Sequence, residues 1–252
     1  VKDENENAII IGEVWEDATN KFAYGQRRKY LLGEELDSVM NYPFADAVLN
    51  FVRFANGDAF FNSIMSIVEN YPPQVLSVLM NHIGTHDTER AITRLAGENS
   101  DGRDREWQFK HNTLSKYDYL KGISMMKIAS LLQFTLPGVA SIYYGDEIGM
   151  QGMKDPFNRG CMQWDNINEE LLKWYKRLGQ LRLSSKAFVN GDFEKVFCDG
   201  GVIAYARNSE HDAALVAVNN SHHFKRIFVG TKWDNSYSLF DETPCDGFIT
   251  LP

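Results

Sequence analysis

Ala8-Ile9-Ile10-Ile11-Gly12-Glu13-Val14-Trp15 joins a short β-branched apolar run to a polar tip, and the same design returns three more times along the chain. Leu36-Asp37-Ser38-Val39-Met40 leads into Asn41-Tyr42-Pro43. Val75 to Met80 leads into Asn81-His82-Ile83-Gly84-Thr85-His86-Asp87. Val139-Ala140-Ser141-Ile142-Tyr143-Tyr144 leads into Gly145-Asp146-Glu147. Runs of this length and composition predict strands. Between them, apolar residues recur at helical spacing. Phe60, Phe61, Ile64, Ile67 and Val68 mark Asp58 to Asn70, and Leu120, Ile123, Met126, Ile128, Leu131 and Leu132 mark Tyr117 to Phe134; Glu169 to Leu183 supplies a third stripe. Strands alternating with helices predict βα units around parallel strands, with the polar tips gathered at the strands' C-terminal ends. In a (β/α)8 barrel that end is the active face.

Past residue 186 the texture changes. Glu194–Cys198, Val202–Arg207, Ala213–Val218 and Phe224–Val229 read as short strands separated by turn residues such as Asp199-Gly200-Gly201 and Asn219-Asn220-Ser221. They predict a small antiparallel β domain over 187–252, after an α/β domain over 1–186. The longest irregular stretch, Gly97 to Arg105, reads as a surface loop between the third strand and its helix.

Composition narrows the function classes. The 252 residues carry a net charge of −8, which argues against a nucleic-acid or anionic-membrane partner, since those need clustered Lys and Arg. The nearest basic run, Gln26-Arg27-Arg28-Lys29, is short enough to be a solvated face. Cys161, Cys198 and Cys245 lie far apart, without the spacing of a disulfide framework or zinc site, and suit a reducing, cytoplasmic compartment. No apolar run reaches the roughly 18 residues of a membrane span. The polar start Val1-Lys2-Asp3-Glu4-Asn5-Glu6-Asn7 is not a signal peptide; it reads as the end of a helix cut from something longer.

Three of the strand tips carry groups capable of chemistry. Glu13 sits beside Trp15, and a carboxylic acid partly desolvated by an indole can donate a proton to a leaving oxygen; the plainer reading is a solvated Glu. His86-Asp87-Thr88 either starts a helix, with Asp87 as its N-cap, or sets an aspartate and a histidine against a sugar ring. Tyr143 to Glu147, with Asp155-Pro156-Phe157-Asn158-Arg159, is either a salt-bridged loop or a set of aromatic faces and charged groups that stack on and grip a sugar. One fold brings all three to one mouth, and two carboxylates at separate strand tips are the minimum equipment for glycoside hydrolysis.

With these residues the chain resembles the α-amylase family, glycoside hydrolase family 13. Gly12-Glu13-Val14-Trp15 is similar to its fifth-strand motif, Thr85-His86-Asp87-Thr88 to its seventh-strand motif, and Tyr143 to Met150 to its eighth-strand segment. Met40-Asn41-Tyr42-Pro43, Gly145 to Met150, and Asp155 to Arg159 with Met162 and Trp164-Asp165 resemble the neopullulanases, cyclomaltodextrinases and maltogenic amylases. The resemblance implies an α/β fold comprising the C-terminal half, strands five to eight, of a TIM barrel followed by a small antiparallel β-sandwich. It implies retaining cleavage or transfer of α-1,4 and α-1,6 glucosidic bonds, with maltooligosaccharides, cyclodextrins or pullulan as substrates. Glu13 becomes the general acid/base, Asp87 the stabiliser of the oxocarbenium-like transition state, and His86 a sugar ligand. Trp15 stacks on a sugar on the leaving-group side, and Asp155 and Arg159 contact sugars on the other side.

The family's nucleophile is an aspartate in a Gly-x-Arg-x-Asp motif on the fourth strand, and the twelve residues before Glu13 hold neither that motif nor a further strand to carry it. The expectation is therefore an enzyme fragment, inactive by itself, whose partner is the missing N-terminal half or a second copy joined through the exposed barrel edges. The alternative is a non-catalytic carbohydrate-binding remnant. No cofactor and no required metal are expected.

Overall fold

The computed structural model describes residues 1–33 and 35–252. Four parallel strand segments lie side by side. β1 (Ile11–Gly12) pairs with β4 (Ser38–Val39), Met40 bridges in parallel to Met80, and β5 (Met80–Asn81) pairs with β6 (Val139–Ala140). Between β1 and β4 lies a hairpin of β2 (Phe22–Ala23) and β3 (Gln26–Arg27), which the sequence reading did not anticipate. The turn at its tip has Tyr24 and Gly25 at positive φ.

The strands are shorter than the apolar runs suggest, and the third run is corrected outright. Pro73 opens a helical turn, α3 (Pro73–Leu76), so Val75 and Leu76 are helical and the strand begins only at Met80. Proline suits the first helical turn because its missing N–H has no intrahelical partner there. At the N-terminus, Val1 to Asn5 forms a single hydrogen-bonded turn rather than a helix end.

The four longest helices begin at side-chain caps, and α2 (Gly57–Asn70), α6 (Lys116–Thr135) and α7 (Glu169–Ser184) follow the stripes read in the sequence. α1 (Tyr42–Phe54) is capped by Asn41 and α2 (Gly57–Asn70) by Asn56. Ser115 caps α6 (Lys116–Thr135) and Asn168 caps α7 (Glu169–Ser184). Each cap accepts a hydrogen bond from an otherwise unpaired N–H of the first turn. α4 (Ala91–Ala96) and α5 (Arg105–Lys110) are short. The loop from Gly97 thus links these two helices and does not precede the first helix after the third strand. Leu120, assigned to the buried stripe of α6, is exposed.

After α8 (Lys186–Asn190) come β7 (Asp192–Asp199), β8 (Val202–Asn208) and β9 (Ala213–Asn219), one antiparallel three-stranded sheet. β10 (Lys225–Phe228) pairs antiparallel with β13 (Phe248–Leu251), and β11 (Ser236–Tyr237) with β12 (Pro244–Cys245). β8 is buried on both faces, and its alternation divides the core. Ile203 and Tyr205 join the large cluster shared with the helices, while Val202, Ala204 and Ala206 join a second cluster with Ile227, Val229 and Trp233. The sheet is locked to the helices by polar bonds. Tyr205 OH meets Thr135 Oγ1 at 2.6 Å, and buried Arg207 donates to the carbonyls of Thr135 and Gly191. Among the described residues no helix is long and apolar enough to cross a membrane, and the three cysteines are free thiols.

Helix α2 also meets the turn between β7 and β8 at Gly57, whose N–H donates to the Gly200 carbonyl at 2.8 Å. A Cβ there would lie 2.6 Å from that oxygen and 2.9 Å from Ile203. Gly179, inside α7, has open space around it. Gly57→Ala should therefore lower the chemical-denaturation midpoint. Gly179→Ala should raise stability by about 0.5–1 kcal/mol, the usual helix advantage of alanine. Equal shifts for the two variants would contradict the packing described.

Candidate active site

Glu13 follows directly on β1, and His86 and Asp87 follow β5 by way of residues 82–85. Parallel pairing puts both tips at the same end of the strands. Glu13, His86 and Asp87 each bring one polar atom to a space where these atoms lie within 4.8 Å of one another. The indole N–H of Trp15 donates to Glu13 Oε1 at 3.0 Å. This corrects the expectation that the indole shields the acid from water: Glu13 is exposed, and Trp15 touches it through a polar edge.

Asp87 is held from several sides. His86 Nε2 lies 2.9 Å from Oδ2, Tyr42 OH donates to Oδ2 at 3.4 Å, and Arg159 Nη2 stands 3.5 Å from Oδ1. Its own N–H donates to Thr85 Oγ1 at 3.1 Å. Asp87 is not a helix cap; α4 begins at Ala91, with Arg90 in the cap position. Arg159 also reaches Asp155 Oδ1 at 3.6 Å and donates to the His86 carbonyl at 3.0 Å. The six residues singled out in the sequence thus form one connected group.

Residues given no role in the sequence reading build the frame. Tyr42, the first residue of α1, is buried and stacks on Trp15 with ring centroids 4.0 Å apart and planes at 15°, leaving the indole half exposed. Burial pushes the Tyr42 phenol up to about 12, and the nearby Asp87 and Glu13 charges add to this, so it remains a donor. His82 packs edge-on against Tyr42 at 4.7 Å. It is buried with neither ring nitrogen bonded to a described residue. Burial, with the Arg94 charge, lowers it to about 4. Asn158 is fully buried and donates toward the carbonyls of Thr85, His86 and Thr88 at 3.4, 2.8 and 2.7 Å, which fixes the loop that carries Asp87. Its place inside Asp155 to Arg159 was the available signal.

Beneath that loop lies a buried charged pair. Arg90 lies 3.9 Å from Asp146, bonds the Tyr144 carbonyl, and places its guanidinium 4.3 and 4.5 Å from the ring centres of Tyr143 and Tyr144. Burial drives Asp146 up to about 7 against the opposing pull of Arg90. The pair ties the Asp87 loop to the segment after β6.

Glu13, His86 and Asp87 have the donor types of a cation site. However, Asp87 already faces the Arg159 guanidinium, so its charge is matched within the protein. The arrangement suits an exposed acid beside a fixed, charge-paired carboxylate and an aromatic platform. A recess of about 840 Å³ between α1 and α2 holds none of the six residues, whereas one of about 470 Å³ begins at Trp15 and Asp87.

A family model described as the alpha amylase catalytic domain matches residues 1–176. The chain is 34% identical over 233 residues to a cyclomaltodextrinase of Thermoanaerobacter pseudethanolicus, covering 91% of this chain and 35% of that protein. It is 32% identical over 247 residues to an amylopullulanase of Thermoanaerobacter thermohydrosulfuricus, covering 89% of this chain and 16% of that one. A solved cyclomaltodextrinase structure superposes with a TM-score of 0.79 at 30% identity, covering all of this chain and 40% of the other. The chain spans about a third or less of the length of these curated relatives.

His82 gives the frame a pH signature. Between its ordinary value of 6.5 and about 4, the unfolded chain takes up a proton on His82 that the folded chain refuses. Stability from this residue is therefore complete above pH 6.5 and falls as pH drops to 4. His82→Gln should remove that part of the acid loss, seen as a shallower dependence of the denaturation midpoint between pH 6.5 and 4 than in the wild type.

Proposed function

The chain belongs to the α-amylase family by its match to the catalytic domain, and from this we propose that it works in a retaining α-glucan hydrolase cleaving α-1,4 or α-1,6 bonds of maltooligosaccharides, cyclodextrins or pullulan. The supporting observation is the convergence of Glu13, His86 and Asp87 from two strand ends. Glu13, exposed to the cleft, protonates the leaving oxygen and then, as a carboxylate, takes a proton from the attacking water. Asp87, held by His86, Tyr42 and Arg159, keeps a fixed negative charge where positive charge develops on the sugar ring. The outer face of Trp15 receives a sugar on the leaving-group side. His86, Asp155 and Arg159 bind hydroxyls.

A retaining reaction also needs a nucleophilic carboxylate about 5–5.5 Å from the acid. Asp87 brings an oxygen within 4.8 Å of Glu13, but both of its oxygens already face His86, Tyr42 and Arg159. On this reading the nucleophile comes from outside these 252 residues. The four parallel strands then serve as strands five to eight of a (β/α)8 barrel, residues 1–186 belong to that barrel, and residues 187–252 form a C-terminal β-sandwich. The outer edges of β1 and β6, each paired on one side only among the described residues, meet the remaining strands or a second copy.

The 252-residue chain is accordingly expected to bind maltotriose in calorimetry and to show no turnover of maltotriose or cyclodextrin. Asp87→Asn should weaken binding about tenfold, the scale of one lost charge-assisted contact. Turnover by this chain, abolished in Glu13→Gln, would show that one of its own carboxylates is the nucleophile.

A further inference from the structure

Asp146 is the one buried carboxylate among the described residues, and the chemistry above makes no use of it. It opens a short 3-10 turn, Asp146–Ile148, in the segment after β6. Neither of its oxygens hydrogen-bonds a described residue. Its contacts are instead with the two ends of the Asp87 loop. Oδ2 lies over Gly84, where an added Cβ would come within 2.5 Å of it. Oδ1 faces Arg90 at 3.9 Å. Gly84 and Arg90 stand three residues before and three residues after Asp87. Asn158 holds the carbonyls between them, so Asp146 fixes the base of a loop whose crest carries Asp87.

Two buried opposite charges attract strongly where water does not screen them. Arg90 depends on that attraction, because its Nε and Nη2 bond no described residue and its remaining support is the Tyr144 carbonyl and the rings of Tyr143 and Tyr144. Removing the charge of Asp146 leaves Arg90 a buried cation without a counter-charge, an arrangement that the surrounding chain relaxes to avoid. The chain free to relax is the loop that Arg90 ends.

We propose that Asp146 is a positioning residue for Asp87: its negative charge, acting through Arg90 and against Gly84, holds the base of the 84–90 loop and so sets where Asp87 meets the sugar. The proposal rests on the α-glucan reading above. Its charge state has a readable signature. The ionisable groups around Asp146 are Arg90, Tyr143 and Tyr144, Glu147 on its own turn and Tyr175 on α7. Burial raises Asp146 to about 7, the Glu147 charge adds to this, and Arg90 opposes it. The carboxylate is therefore charged above pH 7 and protonated below it.

Maltotriose calorimetry on the 252-residue chain tests it, using the wild type, Asp146→Asn, Asp87→Asn and the double variant, with folding followed by circular dichroism. Asp146→Asn keeps the shape and removes the charge, and at pH 8.5 it should weaken binding about threefold. The same change should have no effect once Asp87 is replaced. At pH 5.5 the wild type should bind no more tightly than Asp146→Asn; groups that titrate elsewhere are common to both proteins and cancel in the ratio. Should Asp146→Asn not fold, Gly84→Ala, which crowds the carboxylate and leaves its charge, takes its place in the cycle with the same threefold expectation at pH 8.5. Equal affinities at pH 8.5, or a loss that is the same with and without Asp87, overturn the positioning role and leave the α-glucan reading standing, as does an Asp146→Asn loss that does not change with pH. Absence of maltotriose binding by the wild type overturns the α-glucan reading and this role with it.

Discussion

A buried amide ladder sets the position of the strand tips. Asn41 Nδ2 donates to Asn81 Oδ1 at 2.9 Å, and Asn81 Nδ2 donates to the Pro137 carbonyl at 2.7 Å. Gln133 Nε2, from α6, donates to the carbonyls of Asn81 and Ser141 at 3.1 and 2.8 Å. Strands of two paired residues have little backbone ladder with which to specify register, and a slip of one residue would turn every side chain to the opposite face. The amides supply what the backbone lacks. Because they are buried, a slip would leave several polar groups unpaired, each at a cost of about 1–3 kcal/mol. Asn41 is also the cap of α1, accepting from Phe44 N, so the same residue fixes both where the second strand stops and where the helix carrying Tyr42 begins.

From that ladder the site follows by contact. Tyr42, positioned by the Asn41 cap, backs Trp15 on one side, meets His82 on another and reaches Asp87 through its hydroxyl. Asn158 and Arg159 hold the other side of the Asp87 loop through its carbonyls. Glu13 is bound differently: its one described side-chain partner is the Trp15 N–H, itself on an exposed residue. The frame fixes Asp87 and leaves Glu13 accessible, a division that on the α-glucan reading suits an acid obliged to exchange protons with both substrate and water.

Helices were the legible part of the sequence. The stripes read over Asp58–Asn70, Tyr117–Phe134 and Glu169–Leu183 lie within a residue of α2, α6 and α7, while their caps at Asn56, Ser115 and Asn168 went unread. Strand lengths were not legible, because an apolar run records burial as well as pairing. Val75 and Leu76 are apolar for the core yet helical after two prolines. α1 was hidden by Pro43, which reads as a loop residue until Asn41 is seen to cap a helix with proline in its first turn. Of the site, the groups with evident chemistry stood out and were brought together. Tyr42, His82, Arg90 and Asn158 did not, because what they contribute is position, and position is visible only when residues some 40 to 72 apart in sequence are seen to touch.

The open edge of β1 bears on the chemistry as well as the fold. Ile9 and Ile11 are exposed along it, and Val139 and Ile142 are exposed along the opposite edge at β6. Uncovered apolar edges of this kind invite pairing with another strand. A strand added beside β1 would run about 4.8 Å away. In parallel register its tip would then stand next to Glu13, on the side away from β4. On the α-glucan reading the missing carboxylate must lie about 5–5.5 Å from the acid, close to the spacing of adjacent strands. On that reading, a segment that covers Ile9 and Ile11 would be placed to carry the nucleophile.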